Sequence, residues 1–93
     1  MLSKIFTPIS LATAAGTSSG AASNVGSARF VLVQNTAASG TDYLVTLETS
    51  SGTDIGTFRV PGDNCMIIKK GTTDQLFAEN AAIYFTAVTV TNI

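Results

Sequence analysis

The chain lacks histidine and tryptophan, and its 93 residues include one cysteine and two prolines. Without histidine it has neither the usual general base of catalytic triads nor the commonest metal-ligating side chain. A single cysteine, Cys65, excludes an intrachain disulfide. We therefore expect no catalytic residue, no metal site and no cofactor, and we predict that the protein is not an enzyme.

Charged residues are also scarce, at 12% of the chain, which is about half the usual share. The five basic residues are scattered and the net charge is −1, so the basic stripe that binds nucleic acid is missing. No stretch reaches the roughly 20 apolar residues of a membrane span. A surface with so little charge repulsion favours contact with protein partners, and we expect no nucleic acid and no membrane.

The cysteine and most of the acidic residues lie in patterns that indicate structural rather than catalytic roles. Cys65 lies in the apolar run Cys65–Ile68, which predicts a buried structural thiol. Four of the six acidic residues fall in turns, where aspartate usually bonds its own backbone. A loose Ca²⁺ site at Asp63–Asn64 and a glycosidase-type carboxylate pair stay open as weaker alternatives.

Turns that contain glycine and aspartate recur about every ten to twelve residues. They are Ser39–Asp42, Ser51–Asp54, Pro61–Asn64 and Gly71–Asp74. Apolar, β-branched runs lie between and around them, at 28–34, 43–49, 55–60, 65–70 and 81–91. This rhythm predicts an all-β fold, a small antiparallel β-sandwich or barrel of about six short strands with an extended N-terminal arm.

Two segments carry more specific predictions. In the run 43–49 the residues alternate, which places Tyr43, Val45 and Leu47 on one face of a strand and Thr46 and Glu48 on the other. The segment 75–80 is the one piece that we expect to form a helical turn, capped by Asp74.

Residues 1–27 differ from the rest in composition. From residue 12 to 27 the chain reads ATAAGTSSGAASNVGS, which offers little apolar surface to bury. Ordering such a segment costs about 1–2 kcal/mol per residue in backbone entropy. We therefore predict an arm at 1–27 that a neighbouring subunit or a larger assembly orders, and a β-sandwich domain at 28–93. The alternative is that the arm adds an edge strand to its own domain.

The first fifteen residues also resemble a weak secretory signal. Pro8 and the hydroxyl groups of Thr7 and Ser10 interrupt its apolar stretch, so we expect that it is not cleaved. A mature chain that started near Gly16 would instead suit a secreted adhesin subunit.

From Phe30 to Ile93 the strands and turns follow a recognisable cadence. Its parts are RFVLVQN, the turn Val60–Asp63, an Ile-Ile-Lys-Lys strand, the segment Thr73–Ala78 and a final Ala/Val/Thr strand. This cadence resembles the small all-β virion proteins of tailed bacteriophages, especially those of marine and cyanobacterial phages. It covers about two thirds of the chain and contains no catalytic signature. The resemblance implies a capsid decoration or cement protein, or a small head or tail accessory subunit.

We therefore expect a structural subunit on the capsid surface of a bacteriophage virion, whose arm staples neighbouring major capsid proteins. We expect a homo-oligomer, for which a trimer is one option. The predicted contact residues are Ile5, Phe6, Ile9 and Leu11 in the arm, with Arg59, Lys69 and Lys70 as exposed rim charges. The alternative is a carbohydrate- or host-surface-binding module, as a fibre accessory or secreted adhesin, that uses the turn acids with Tyr43 or Tyr84.

Overall fold

The structure is a computed structural model that describes the backbone of residues 4–92 and the side chains of residues 7–90. Among these described residues, eight strands form two antiparallel sheets, which confirms the predicted fold class with two strands more than expected. They are β1 (Lys4–Pro8), β2 (Thr13–Ala14), β3 (Phe30–Asn35), β4 (Tyr43–Glu48), β5 (Asp54–Val60), β6 (Cys65–Lys69), β7 (Gln75–Ala78) and β8 (Ile83–Asn92). The described residues contain one helical element, a 3-10 turn at Ser19–Ala21, and no helix long and apolar enough to cross a membrane.

The larger sheet, sheet A, has the strand order β1–β8–β3–β6, and β2 also pairs with β8. Because β3 occupies one edge of β8, β1 and β2 lie along its other edge. Lys4–Pro8 pairs with residues 88–92, and Thr13–Ala14 pairs with residues 84–85. Sheet B has the order β5–β4–β7.

The core lies between the two sheets and consists mainly of alternate residues from strands β3 to β8. The β-branched and aromatic side chains of these runs suit a pleated, half-buried surface. Fully buried positions in sheet A include Val31, Val33 and Ile83, and in sheet B they include Val45 and Val60. Burial of this apolar surface, at about 25 cal/mol per Å², is the main force that holds the sheets together.

The predicted helical turn at 75–80 is wrong, because Gln75–Ala78 forms strand β7. Across sheet B, Leu76 lies opposite Leu47. On its other side, Leu76 exchanges two backbone hydrogen bonds with Ser23, at 3.0 and 2.8 Å. Pairing on both sides, together with complete burial of the Leu76 side chain, outweighs the local preference of four residues.

The described part of the arm lies against its own domain. Strands β1 and β2 extend sheet A, and the chain then crosses to sheet B, where the Ala78 N–H donates to the Gly16 carbonyl at 3.0 Å and Ser23 pairs with Leu76. Residues 4–27 therefore follow the alternative stated above, in which the arm adds edge strands to its own domain. A contact with a further subunit stays a prediction.

Cys65 is exposed, so the predicted buried thiol is wrong. On β6, Met66 and Ile68 pack against the core, and the residues that alternate with them, Cys65, Ile67 and Lys69, point away from it. Cys65 belongs to that outward set, opposite Gln34 of β3.

Candidate interaction site

An apolar groove opens on the side of the sandwich where the arm passes from sheet A to sheet B. Its volume is about 530 Å³, within the range of ligand-sized sites. Phe85 and Ala87 of β8 line it together with arm residues between Ile9 and Gly26, and none of the lining residues is titratable. We call it the arm groove. Its lining suits an apolar group rather than an ion.

The local sequence creates a bend at the mouth of the arm groove. β1 ends at Pro8, and the next residue still donates its N–H to the Ala87 carbonyl at 2.8 Å. The Ala87 N–H then donates to the Ser10 hydroxyl oxygen at 3.0 Å, so a side chain replaces the backbone in the ladder. We refer to Ile9–Leu11 as the bend.

The bend exposes two large apolar side chains. Ile9, which lines the arm groove, is 62% exposed, and Leu11 is 88% exposed. Only one other large apolar side chain among the described residues is exposed, Ile55 on β5 at 52%. Burying a side chain of this size contributes about 1.5–3 kcal/mol, so the bend offers a partner favourable contact.

The far side of the groove is fixed to sheet B through a buried carboxyl group. Glu48 of β4 is fully buried. The Ser19 hydroxyl lies 2.9 and 3.0 Å from its two oxygens, and the Gln75 amide donates to it at 2.9 Å. A buried carboxyl group needs such donors to offset its lost hydration. The contact holds the 3-10 turn, and with it Ala21 of the groove wall, against the sandwich.

The predicted contact residues do not form one surface. Ile9 and Leu11 lie together at the bend, whereas the side chains of Ile5 and Phe6 fall outside the described residues. Arg59 lies on β5 of the other sheet, exposed and 3.8 Å from the Glu79 carboxylate. Lys69 is exposed at the end of β6, within sheet A.

Lys70 is 6% exposed, so its predicted place among the rim charges is wrong. It continues the inward register of Met66 and Ile68, and its ammonium group donates to the Gly71 carbonyl at 3.1 Å. Burial lowers the pKa of Lys70, and the nearby Asp74 carboxylate opposes that shift. A desolvated amine of this kind is a poor surface contact.

Three of the residues named for the binding-module alternative have structural partners. The Asp42 carboxylate accepts the backbone N–H of Gly62, in another turn, at 3.3 Å, and the Asp74 carboxylate accepts that of Gly71, in its own turn, at 3.0 Å. Tyr43 packs against the core. Within the described residues, no three His, Cys, Asp or Glu side chains lie close enough to hold a metal ion.

Comparisons with known proteins do not place the chain in a family. It matches no protein-family model, no curated protein and no solved structure.

Proposed function

We propose that the protein is a structural subunit of a larger assembly and that it attaches to a neighbouring subunit through the bend. The observation that supports this is the pair of solvent-exposed apolar side chains, Ile9 and Leu11, at the mouth of the arm groove. The groove has no titratable lining residue, so the complementary group on the partner is apolar.

The assembly that we propose is the virion of a tailed bacteriophage, with the protein as a decoration or cement protein on the capsid surface and the major capsid protein as its partner. This finer proposal rests on the strand-and-turn cadence of residues 30–93. A rigid all-β scaffold suits the role, because a preorganised contact surface loses little entropy on binding.

The contact is expected to be local rather than a release of the whole arm. β1 and β2 supply one edge of sheet A, and Ser19 bonds the buried Glu48. Removing residues 1–27 would therefore damage the sandwich itself. Substitution at the bend tests the attachment without this side effect.

The experiment compares Leu11→Glu with Ser39→Glu, which places the same charge at an exposed position of the loop between β3 and β4. Density-gradient fractions of bacteriophage particles from the native source are first probed for the chain, and tagged variants are then incubated with those particles. We expect the chain to sediment with particles, Ser39→Glu to bind like the wild type, and Leu11→Glu to bind at least about tenfold more weakly.

Two results would contradict the proposal in different ways. Absence of the chain from the particle fractions would rule out the virion role. Wild-type binding by Leu11→Glu would rule out the bend as the attachment point.

A further inference from the structure

We propose that a second copy of this chain pairs with strand β5, so that two copies of sheet B join into one continuous six-stranded antiparallel sheet. The β5 edge lies on the opposite side of sheet B from Ser23 and the arm groove. This self-association is therefore separate from attachment through the bend.

The first observation is that β5 is an open edge. It pairs with β4, and no strand of the described residues lies on its other side. Residues 54–57 and Arg59 are exposed, so other parts of the described chain leave this strand uncovered.

The backbone of β5 points hydrogen-bonding groups toward that open side. In β4, the Leu44 carbonyl accepts the Glu79 backbone N–H at 2.9 Å, and the Leu44 N–H donates to the Glu79 carboxylate at 2.7 Å, so the backbone groups of Leu44 face the β7 side. Its neighbours in β4 therefore face β5, where Val45 lies opposite Phe58. By the same alternation, Thr57 and Arg59 direct their N–H and carbonyl groups away from β4.

The other sheet edges carry features that block strand addition, and β5 has fewer of them. β1 ends in Pro8, and β6 ends in the exposed Lys69. Proline and lysine are the residues that natural proteins use to guard free edges. β5 contains neither, and its one irregularity is the register shift near Ile55, which leaves residues 56–60 as a regular edge.

Charge complementarity identifies the occupant as a second copy in the antiparallel direction. β5 begins with acidic Asp54 and has basic Arg59 near its end. An antiparallel copy places each acidic end beside the basic end of the other, twice in the dimer, whereas a parallel copy would bring like charges together. A twofold axis at Thr57 makes its two copies directly opposite.

This geometry also fixes the size of the assembly. The interface is isologous, because each copy uses the same β5 edge, so pairing closes at a dimer. The Arg59–Glu79 contact does not prevent it, since the pair is long, at 3.8 Å, and largely exposed.

Sedimentation equilibrium from micromolar to millimolar protein tests the proposal with a matched pair of variants. Thr57→Pro removes the N–H that points to the open side but keeps the bonds to β4, whereas Thr57→Val keeps that N–H. We expect wild-type protein and Thr57→Val to form dimers. We expect Thr57→Pro to associate at least about tenfold more weakly while its circular dichroism is unchanged.

Charge reversal gives a second test that does not depend on the proline variant folding. Asp54→Arg places two like charges at each end of the paired strands and should weaken the dimer about tenfold. The double variant Asp54→Arg with Arg59→Asp restores opposite charges and should recover dimerisation. A wild-type protein that stays monomeric at millimolar concentration, that forms trimers or larger species, or that is indifferent to these changes would overturn the proposal.

Discussion

The arm at residues 7–27 and the sandwich at residues 28–90 belong to one compact unit but are fixed by different means. Among the described residues, the sandwich supplies nearly every buried apolar side chain, and the arm supplies only Ala15. The arm is instead fixed by backbone pairing with β8 and β7 and by the Ser19–Glu48 contact. Hydrogen bonds to an existing sheet can thus order a segment that has little to bury. Its larger apolar groups, Ile9 and Leu11, are left for contacts outside the chain.

The two regions should differ most in the loss of stability when one leucine of each is truncated to alanine. Leu76→Ala removes a fully buried side chain between the sheets and should lower the free energy of unfolding by about 2–5 kcal/mol. Leu11→Ala, at an exposed site, should change it by no more than about 0.5 kcal/mol. Urea denaturation measures both. Equal effects would mean that the arm is packed like the core.

Removing the contact between the two regions should lower the free energy of unfolding by an intermediate amount. Glu48→Ala leaves the Ser19 hydroxyl and the Gln75 amide without their shared acceptor. It should lower the free energy of unfolding by about 1–3 kcal/mol. Hydrogen exchange should rise at residues 15–23, where the arm lies on sheet B. Glu48→Gln is the control, because an amide of the same shape can accept from Gln75 and donate to Ser19. If both variants behave alike, hydrogen bonding at this site does not fix the arm.

The smallest effect is expected from a pair of arm glycines. A methyl group at Gly16 would collide with the backbone and Cβ of Ala21, whereas one at Gly20 would meet only the Ser18 hydroxyl, 4.0 Å away. Gly16→Ala should therefore lower the free energy of unfolding by about 1 kcal/mol and speed proteolytic cleavage within the arm. Gly20→Ala should do neither. Equal cleavage of the two variants would show that the crossing between the sheets is not tightly fitted.

Much of the sandwich could be predicted from the sequence. Apolar runs between regularly spaced turns located β3, β4, β5, β6 and β8. Alternation also separated the two faces of β4, since Val45 packs in the core and Glu48 lies on the opposite face. These features depend on neighbouring residues, which is why local patterns suffice.

The features that the sequence did not predict depend on distant residues or on which side of a strand is covered. Glu48 is buried because Ser19, 29 residues earlier, covers it, and no local signal reports that contact. The continuous apolar run of β6 hid which alternate residues face the core, so Cys65 and Lys70 were assigned to the wrong environments. The arm groove likewise exists only after the arm has paired with both sheets.

The pairing of the first strand with the last has a consequence for the order of folding. The hairpin β4–β5 joins neighbouring segments, so its contacts close quickly. The β1–β8 ladder, in which Lys4 lies opposite Asn92, must bring together residues separated by nearly the whole described chain. We therefore expect the hairpin to form early and the edge of β8 to be filled late. Until then, the chain exposes an unpaired edge on its longest strand.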